Sequence, residues 1–326
     1  MNKLKGEVYT MRKKISIIGA GNVGASIAYT LTIDGVASEI VLIDINKEKA
    51  KGEAMDILQG TAFCPPTTIY AGDYPDTSNS DIVIITSGIP RKPGQTRLDL
   101  AQNNVNLIKQ IGPELVKYAP NAVYLVVSNP VDIMTYALIK TTGLPEHQVF
   151  GSGTMLDSAR LRSIISKKAN INPQNVHAYV FGEHGDSSMI PWSLTSISGI
   201  NLEAYNAIAC EKQNEFCDIN FKSKIEEYVK TSGSKIISMK GATFYAIALS
   251  VRNICDCILR DTNSVLTVSG MIHNRYGIDG ICLSLPFILG KDGIVCDITP
   301  PLAQEEEDLL RNSAHTLKDF VTSLAM

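Results

Sequence analysis

The sequence predicts an α/β fold, a doubly wound parallel sheet followed by an α+β domain. Three observations predict it. Short apolar, β-branched runs alternate with helical patterns through the first half of the chain. A glycine-rich turn joins the first run to the first helical pattern. Near Gly151 the rhythm changes, and long helical stretches with two extended segments replace the alternation.

The elements follow in order. Residues 1–13 form a polar arm with Lys3, Lys5, Arg12 and Lys13. Basic residues with no apolar stretch between them do not make a signal peptide. The runs 15–18, 40–43, 68–71, 82–86 and 122–127 are apolar almost without alternation. That pattern suits strands covered on both faces, as in a parallel sheet. Helical patterns lie between them at 22–34, 47–59, 97–118 and 131–142. The βαβ rhythm puts the strand C-termini along one edge, where ligands bind. In the second half we expect a helix over 154–169, a strand over 176–181, helices over 202–230 and 234–260, and extended segments at 264–274 and 281–289. A last helix, 302–325, opens after Pro300-Pro301 with Glu305, Glu306, Glu307 and Asp308. Proline at the start and acids in the first turns suit a helix N-terminus. The expected division is an arm (1–13), a nucleotide-binding domain (14–150) and a second domain (151–326).

Composition excludes several classes. The chain has 326 residues, enough for about two domains. Its 30 basic and 33 acidic side chains leave a formal charge of -3, so no basic stripe for nucleic acid is expected. No apolar run approaches the ~18 residues of a membrane span. The seven cysteines are odd in number and form no C-x-x-C. Reduced thiols in a cytoplasmic protein are the plain reading, without disulfide or metal.

Gly19-Ala20-Gly21-Asn22-Val23-Gly24 is a G-x-G-x-x-G in its required place, after a strand and opening a helix. Gly19 permits the tight turn, Gly21 lets amides approach a pyrophosphate, and Gly24 lets helix pack on strand. The helix N-terminus adds amides and a positive dipole end. The second run ends at Asp44, where a carboxylate accepts both ribose hydroxyls of NAD and repels the extra phosphate of NADP. The plainer alternative is a tight strand–helix turn with a surface aspartate.

Three further segments concentrate polar residues. Gly182-Glu183-His184-Gly185-Asp186 exposes a histidine between glycines. In the stretch 151–160, Asp157 and Arg160 are three apart and share a helix face. The loop 88–97 carries Gly and Pro hinges with Arg91, Lys92 and Arg97. Each has a bland alternative: a structural histidine, a helix-face ion pair, a solvated loop cation.

Together with Ser128-Asn129-Pro130-Val131-Asp132, these stretches resemble the L-lactate/L-malate dehydrogenase family, in its order and over nearly the whole chain from about Lys14. The resemblance implies a Rossmann domain that binds NAD through Gly19, Gly21, Asn22, Val23, Gly24, Asp44, Thr86, Gly88, Ser128 and Asn129. It implies His184 as general acid–base, Asp157 as the partner that fixes its tautomer, and Arg97 as the group that polarises the substrate carbonyl. Arg160 would hold the substrate carboxylate bidentately. Asn129 would touch substrate and nicotinamide, and Thr243 and Ile247 would line the substrate end.

Arg91 leaves the substrate open. At that position the lactate branch usually has Gln, and the malate branch has Arg to pair a second carboxylate. The stretches Thr96-Arg97-Leu98-Asp99-Leu100 and 240–247 resemble the lactate branch instead. A buried cation facing pyruvate's methyl would be unpaired and costly. The expected pair is pyruvate and L-lactate, with measurable turnover of oxaloacetate; malate/oxaloacetate or dual specificity is the alternative. Arg162 and His177 match family positions of an anion site between subunits, where fructose 1,6-bisphosphate activates. The family forms isologous homotetramers or homodimers. Two other classes stay open: a nucleotide-binding sensor without turnover, and another enzyme on the same fold.

Overall fold

The computed structural model describes residues 13–89, 94, 96–210 and 219–325. Six strands form its parallel half: β1 (Lys14–Ile18), β2 (Glu39–Ile43), β3 (Thr68–Ala71), β4 (Ile82–Ile85), β5 (Val123–Val126) and β6 (Val149–Gly151). Their order across the sheet is β6-β5-β4-β1-β2-β3, so the direction of winding reverses between β1 and β4. A crevice opens there, outside the strand C-termini. The strands form for the reason the sequence implied. Ile15, Ile17, Ile40, Val41, Leu42, Ile82, Val83, Ile84 and Ile85 are buried on both faces of the sheet.

Four helices cover these strands: α1 (Asn22–Asp34), α2 (Lys47–Gly60), α3 (Arg97–Tyr118) and α4 (Val131–Thr142). Their ends carry local signals. The Asn46 side chain accepts the Lys49 N–H and starts α2. Thr96 and Asp99 form a reciprocal capping box on α3. Gly35 and Gly143 end α1 and α4 in the left-handed conformation.

The second half adds α5 (Met155–Ala169), the two-residue strands β7 (Val176–His177), β8 (Ser196–Ile197) and β9 (Ile200–Asn201), and α6 (Leu202–Cys210). It continues with α7 (Phe221–Lys240), α8 (Tyr245–Arg260), β10 (Ser264–Ile272), β11 (Ile281–Gly290), β12 (Gly293–Asp297) and α9 (Gln304–Thr322). β10, β11 and β12 are antiparallel and extend the main sheet beyond β6, with Ser269 opposite Gly151. The resulting nine-stranded sheet passes from one half of the chain into the other. A second apolar cluster lies under α5 and α7, around Leu161, Ile165, Val176, Val180, Ile225 and Val229.

Three expected elements differ. The strand expected over 176–181 pairs regularly only at Val176–His177, with a single bridge from Phe181 to Met189. Its middle is bonded to α5 instead: Val180 donates its N–H to Ser158 Oγ at 2.9 Å, and its carbonyl accepts the Thr154 hydroxyl. The helices expected over 202–230 and 234–260 break elsewhere. α7 runs straight through Ser232-Gly233-Ser234, whose serine hydroxyls bond back to Tyr228 and Thr231 carbonyls. The stop is Gly241, at φ +84°. No strand is expected over 293–297; β12 forms there as the return of a two-residue turn at 291–292, with Gly290 opposite Gly293.

Among the described residues, Cys64, Cys255, Cys257, Cys282 and Cys296 are free thiols. Among them too, no helix is long and apolar enough to cross a membrane.

The β12 turn makes the fold testable. Gly293 sits at φ +102°, and a Cβ there would lie 2.1 Å from the His147 carbonyl oxygen. Gly293→Ala should cost roughly 2 kcal/mol or more through backbone strain plus overlap. Urea unfolding measures it, and an unchanged midpoint would contradict the seat of β12 on residues 147–148.

Candidate functional site

The crevice at the β1/β4 reversal is a cavity of about 740 Å³ lined by Gly19, Gly21, Asp44, Thr86, Gly88 and Ile89 among others. The glycines differ in their constraint. A Cβ on Gly24 would lie 1.9 Å from the Gly19 carbonyl oxygen, so the α1–β1 approach requires its absence. Gly19 has φ +111°, and a Cβ there would lie 2.6 Å from Thr86 Oγ1. Nothing lies within 4 Å of a Cβ on Gly21, which leaves the start of α1 open to a ligand. Gly21 caps α1 without a side-chain bond, so the first amides of the helix face this opening. Asn22 and Val23 form the first turn of α1.

Asp44 follows β2 and is oriented from below. Its carboxylate accepts the Ala20 N–H at 2.7 Å and the Asn46 N–H at 2.8 Å. Thr86 donates to the Gly19 carbonyl at 2.9 Å, fastening the glycine turn to the end of β4. Ser128, at the end of β5, approaches a Gly88 Cβ at 3.4 Å. An open helix N-terminus and a carboxylate at the end of β2 fit a dinucleotide with free ribose hydroxyls.

The residues expected to be catalytic gather on α5 and the turn after residue 181. Asp157, 7% exposed, lies in the first turn of α5. Its Oδ2 is 2.5 Å from His184 Nδ1, and its Oδ1 accepts from Arg160 Nη1 at 2.8 Å. The sequence offered a helix-face ion pair as the bland reading of Asp157 and Arg160; that pair exists, and the histidine shares it. The backbone N–H of His184 donates to Asp132 Oδ2 at 2.8 Å. Burial disfavours the charged ring of His184, but the charge and hydrogen bond of Asp157, with Asp132 behind, outweigh it and raise its pKa above the usual histidine value. Burial pushes Asp157 upward too, yet His184 and Arg160 together hold its carboxyl below the ordinary range. Asp132 has weaker compensation, and burial raises its pKa to about 6.

Arg97 opens α3 and pairs with Asp186 at 2.8 Å, with Glu183 at 3.9 Å. It therefore stands beside the histidine turn, already neutralised. Asn129 follows β5, and its carbonyl accepts from Asn104 Nδ2 at 3.2 Å. Thr243 lies between α7 and α8, and half-buried Ile247 packs on the core from the first turn of α8. Arg91 lies outside the described residues. Arg162, on α5, donates to the Pro173 carbonyl at 3.4 Å, while His177 is exposed on β7. A second cavity, about 820 Å³ beside Trp192 and α9, contains none of the expected site residues.

The sequence reading missed the roles of two polar side chains. Asp132 was noted only as part of a stretch, and Asn104 not at all. Both act on backbone groups of residues far along the chain, which leaves no local spacing to read.

The comparisons agree in both halves. A family model described as lactate/malate dehydrogenase, NAD binding domain, matches residues 13–151. A second, lactate/malate dehydrogenase, alpha/beta C-terminal domain, matches residues 154–325. The L-lactate dehydrogenase of Thermoanaerobacterium saccharolyticum is 47% identical over 95% of this chain and 99% of its own length. L-lactate dehydrogenase 1 of Clostridium acetobutylicum is 49% identical over 95% and 98%. The crystal structure of the minor L-lactate dehydrogenase from Enterococcus mundtii superposes with a TM-score of 0.91, at 37% identity, covering 96% of this chain and 99% of that one. The sheet order, the open glycine turn and these near-full-length matches have one common reading: the chain belongs to the lactate/malate dehydrogenase family, NAD-dependent oxidoreductases acting on the CH–OH group of a hydroxy acid.

Proposed function

We propose that the chain interconverts pyruvate and L-lactate. The observation that carries the chemistry is the buried Asp157, whose two oxygens hold a histidine and an arginine side by side. The choice of pyruvate rests on the relatives named L-lactate dehydrogenase, near half identical over almost their full length. That support also leaves the malate reading the less favoured one.

The residues would divide the work as follows. NAD supplies or accepts the hydride when bound. Gly19, Gly21, Gly24 and the first turn of α1, with Asn22 and Val23, would hold its phosphates, Asp44 a ribose, and Thr86, Gly88 and Ser128 the wall of the crevice. Arg160 would take the substrate carboxylate on the N–H groups that Asp157 leaves free. His184 would hold the proton at Nε2, give it to the carbonyl oxygen during reduction and recover it during oxidation. Asp157 keeps Nδ1 occupied, so the transferable proton sits on the other nitrogen. Arg97 would exchange Asp186 and Glu183 for the substrate carbonyl and stabilise its developing charge. Asn129 would contact the substrate, with Thr243 and Ile247 around its methyl end. In this division residues 14–150 would hold the cofactor and lend Arg97 and Asn129 to the substrate, and residues 151–326 would supply the rest of the substrate site.

Arg91 supports a secondary turnover of oxaloacetate. Arg162 and His177 support a bisphosphate site, fructose 1,6-bisphosphate being the family's ligand. Tyr29, Ile33, Met55, Leu58 and Leu249 are exposed on α1, α2 and α8, which supports a homo-oligomer, by family precedent a tetramer. The cytoplasm is the compartment these readings fit.

Three measurements bear on this. The first is kcat/KM for pyruvate and oxaloacetate with NADH, with and without fructose 1,6-bisphosphate. Pyruvate should be the better substrate, and the effector should lower its KM. An oxaloacetate preference above about a hundredfold would overturn the assignment.

The second is pH dependence. Pyruvate reduction needs the protonated ring, so kcat/KM stays level below the His184 pKa and falls above it. The raised pKa places that fall above the ~6.5 of a free histidine. In Asp157→Asn the fall should move to lower pH, and kcat should drop by roughly 10²–10⁴. A profile that keeps its midpoint contradicts the couple.

The third is cofactor choice. Asp44→Ser should narrow the preference for NADH over NADPH by roughly tenfold or more, because the carboxylate that repels the extra phosphate is gone. An unaltered ratio removes Asp44 from cofactor selection.

A further inference from the structure

Asn104 is a poor residue for the inside of a helix, and it lies in the third turn of α3 at 1% exposure. An amide buried there is costly unless its donors and acceptor find partners. Three of its four possible hydrogen bonds go to two distant backbone segments. Oδ1 accepts the Ile89 N–H at 2.7 Å. Nδ2 donates to the Ile89 carbonyl at 3.4 Å and to the Asn129 carbonyl at 3.2 Å. A Cβ on Gly88 would lie 3.6 Å from Asn104 Oδ1 and 3.4 Å from Ser128 Cβ, so the ends of β4 and β5 meet at this amide.

The three tied segments are parts of the same site. Gly88 and Ile89 line the cofactor crevice. Asn129 is the residue expected against substrate and nicotinamide. α3 begins at Arg97, two turns before Asn104. We propose that Asn104 is a positioning residue for hydride transfer: one buried amide fixes the cofactor wall, the Asn129 backbone and the helix bearing Arg97 relative to one another. This rests on the dehydrogenase reading above.

The chemistry of the position is specific. It needs one acceptor and two donors on a short arm. Aspartate has only acceptors when ionised and would face two carbonyls. Leucine fills the volume but leaves the amide of Ile89 and the carbonyl of Asn129 without this partner. Serine keeps a single hydroxyl. A shift of about 1 Å in reacting groups costs roughly a hundredfold in rate, so loosening this brace should appear in kcat before it appears in cofactor affinity.

The test uses full-length wild type, Asn104→Leu and Asn104→Ser, with NADH binding by fluorescence and pyruvate reduction with NADH and with NADH deuterated at the transferred hydrogen. Asn104→Leu should lose roughly ten- to hundredfold in kcat. Its deuterium isotope effect on kcat should rise, because hydride transfer becomes the slow step. Its NADH Kd should change by less than about threefold, because the glycine turn and Asp44 are untouched. Asn104→Ser should fall between the two. If Asn104→Leu does not fold, Asn104→Ser alone must show the kcat loss and raised isotope effect. A kcat within about twofold of wild type in the folded variants, whatever their Tm, overturns the brace. So does a loss of NADH affinity as large as the loss of kcat. A wild type inert toward 2-oxo acids instead removes the dehydrogenase reading itself, and the brace with it.

Discussion

The site depends on one buried carboxylate held between an arginine and a histidine. Asp157 is 7% exposed, and alone it would be expensive to ionise there. Arg160 and His184 make the charge tolerable, each using a different oxygen. The dependence is mutual. Remove the carboxylate and a guanidinium and a ring, both partly buried, lose their orientation and their compensation together. The backbone around Asp157 is fixed accordingly. Gly153, two residues before α5, has φ +51°, and a Cβ there would lie 2.6 Å from the Ser269 backbone nitrogen. Thr154 and Ser158 bond the neighbouring Val180 backbone. The start of α5 is thus sewn to β10 on one side and to the approach of the histidine turn on the other.

The cofactor crevice is built by a different rule. At its glycine turn what matters is the atoms that are absent. Gly24 must be bare for α1 to rest on the glycine turn, and at Gly21 the missing side chain leaves the helix end open. Asp44 is the exception, and two backbone amides aim its carboxylate. The two ends meet where β4 and β5 stop, which is where Asn104 ties their loops to α3.

This difference explains what could be read from the chain. Local rules write local features, so the G-x-G-x-x-G, Asp44 and the Asp157–Arg160 spacing were all visible. The parallel strands were visible too, because burial on both faces leaves runs without alternation. Asn104 and Asp132 were not, since each serves a backbone group of a residue 15 to 52 positions away. The α7 boundary failed through a conflict of signals. Ser232-Gly233-Ser234 looks like a break, but the serine hydroxyls bond back within the helix instead of capping it, and burial of Val229 and Ser232 holds this turn in place until Gly241, at positive φ, ends it. The strand expected at 176–181 failed because its hydrogen bonds go to helix hydroxyls, and a sequence pattern records burial rather than the identity of the partner.

The electrostatics of the site also differ from what the sequence suggested. In the sequence Arg91, Lys92, Arg97 and Arg160 read as a local cluster of cations around a site for an anion. Arg91 and Lys92 lie outside the described residues, and the structure pairs the other two, Arg97 with Asp186 and Glu183 and Arg160 with Asp157, which also holds His184. A substrate must therefore compete with carboxylates of the protein. Affinity becomes a difference between two sets of charged hydrogen bonds, smaller than either set alone. A simple carboxylate offers Arg160 one good contact and gives Arg97 no reason to leave its acids. In the roles proposed above, a 2-oxo acid would offer a carboxylate to Arg160 and a carbonyl to Arg97 and His184 in one rigid unit. That second contact would strengthen as negative charge moves onto the carbonyl oxygen, so its largest value would fall in the transition state rather than on binding. Pairing the cations beforehand thus lowers the attraction for ordinary anions and leaves the reaction's own charge as the strongest competitor for Arg97.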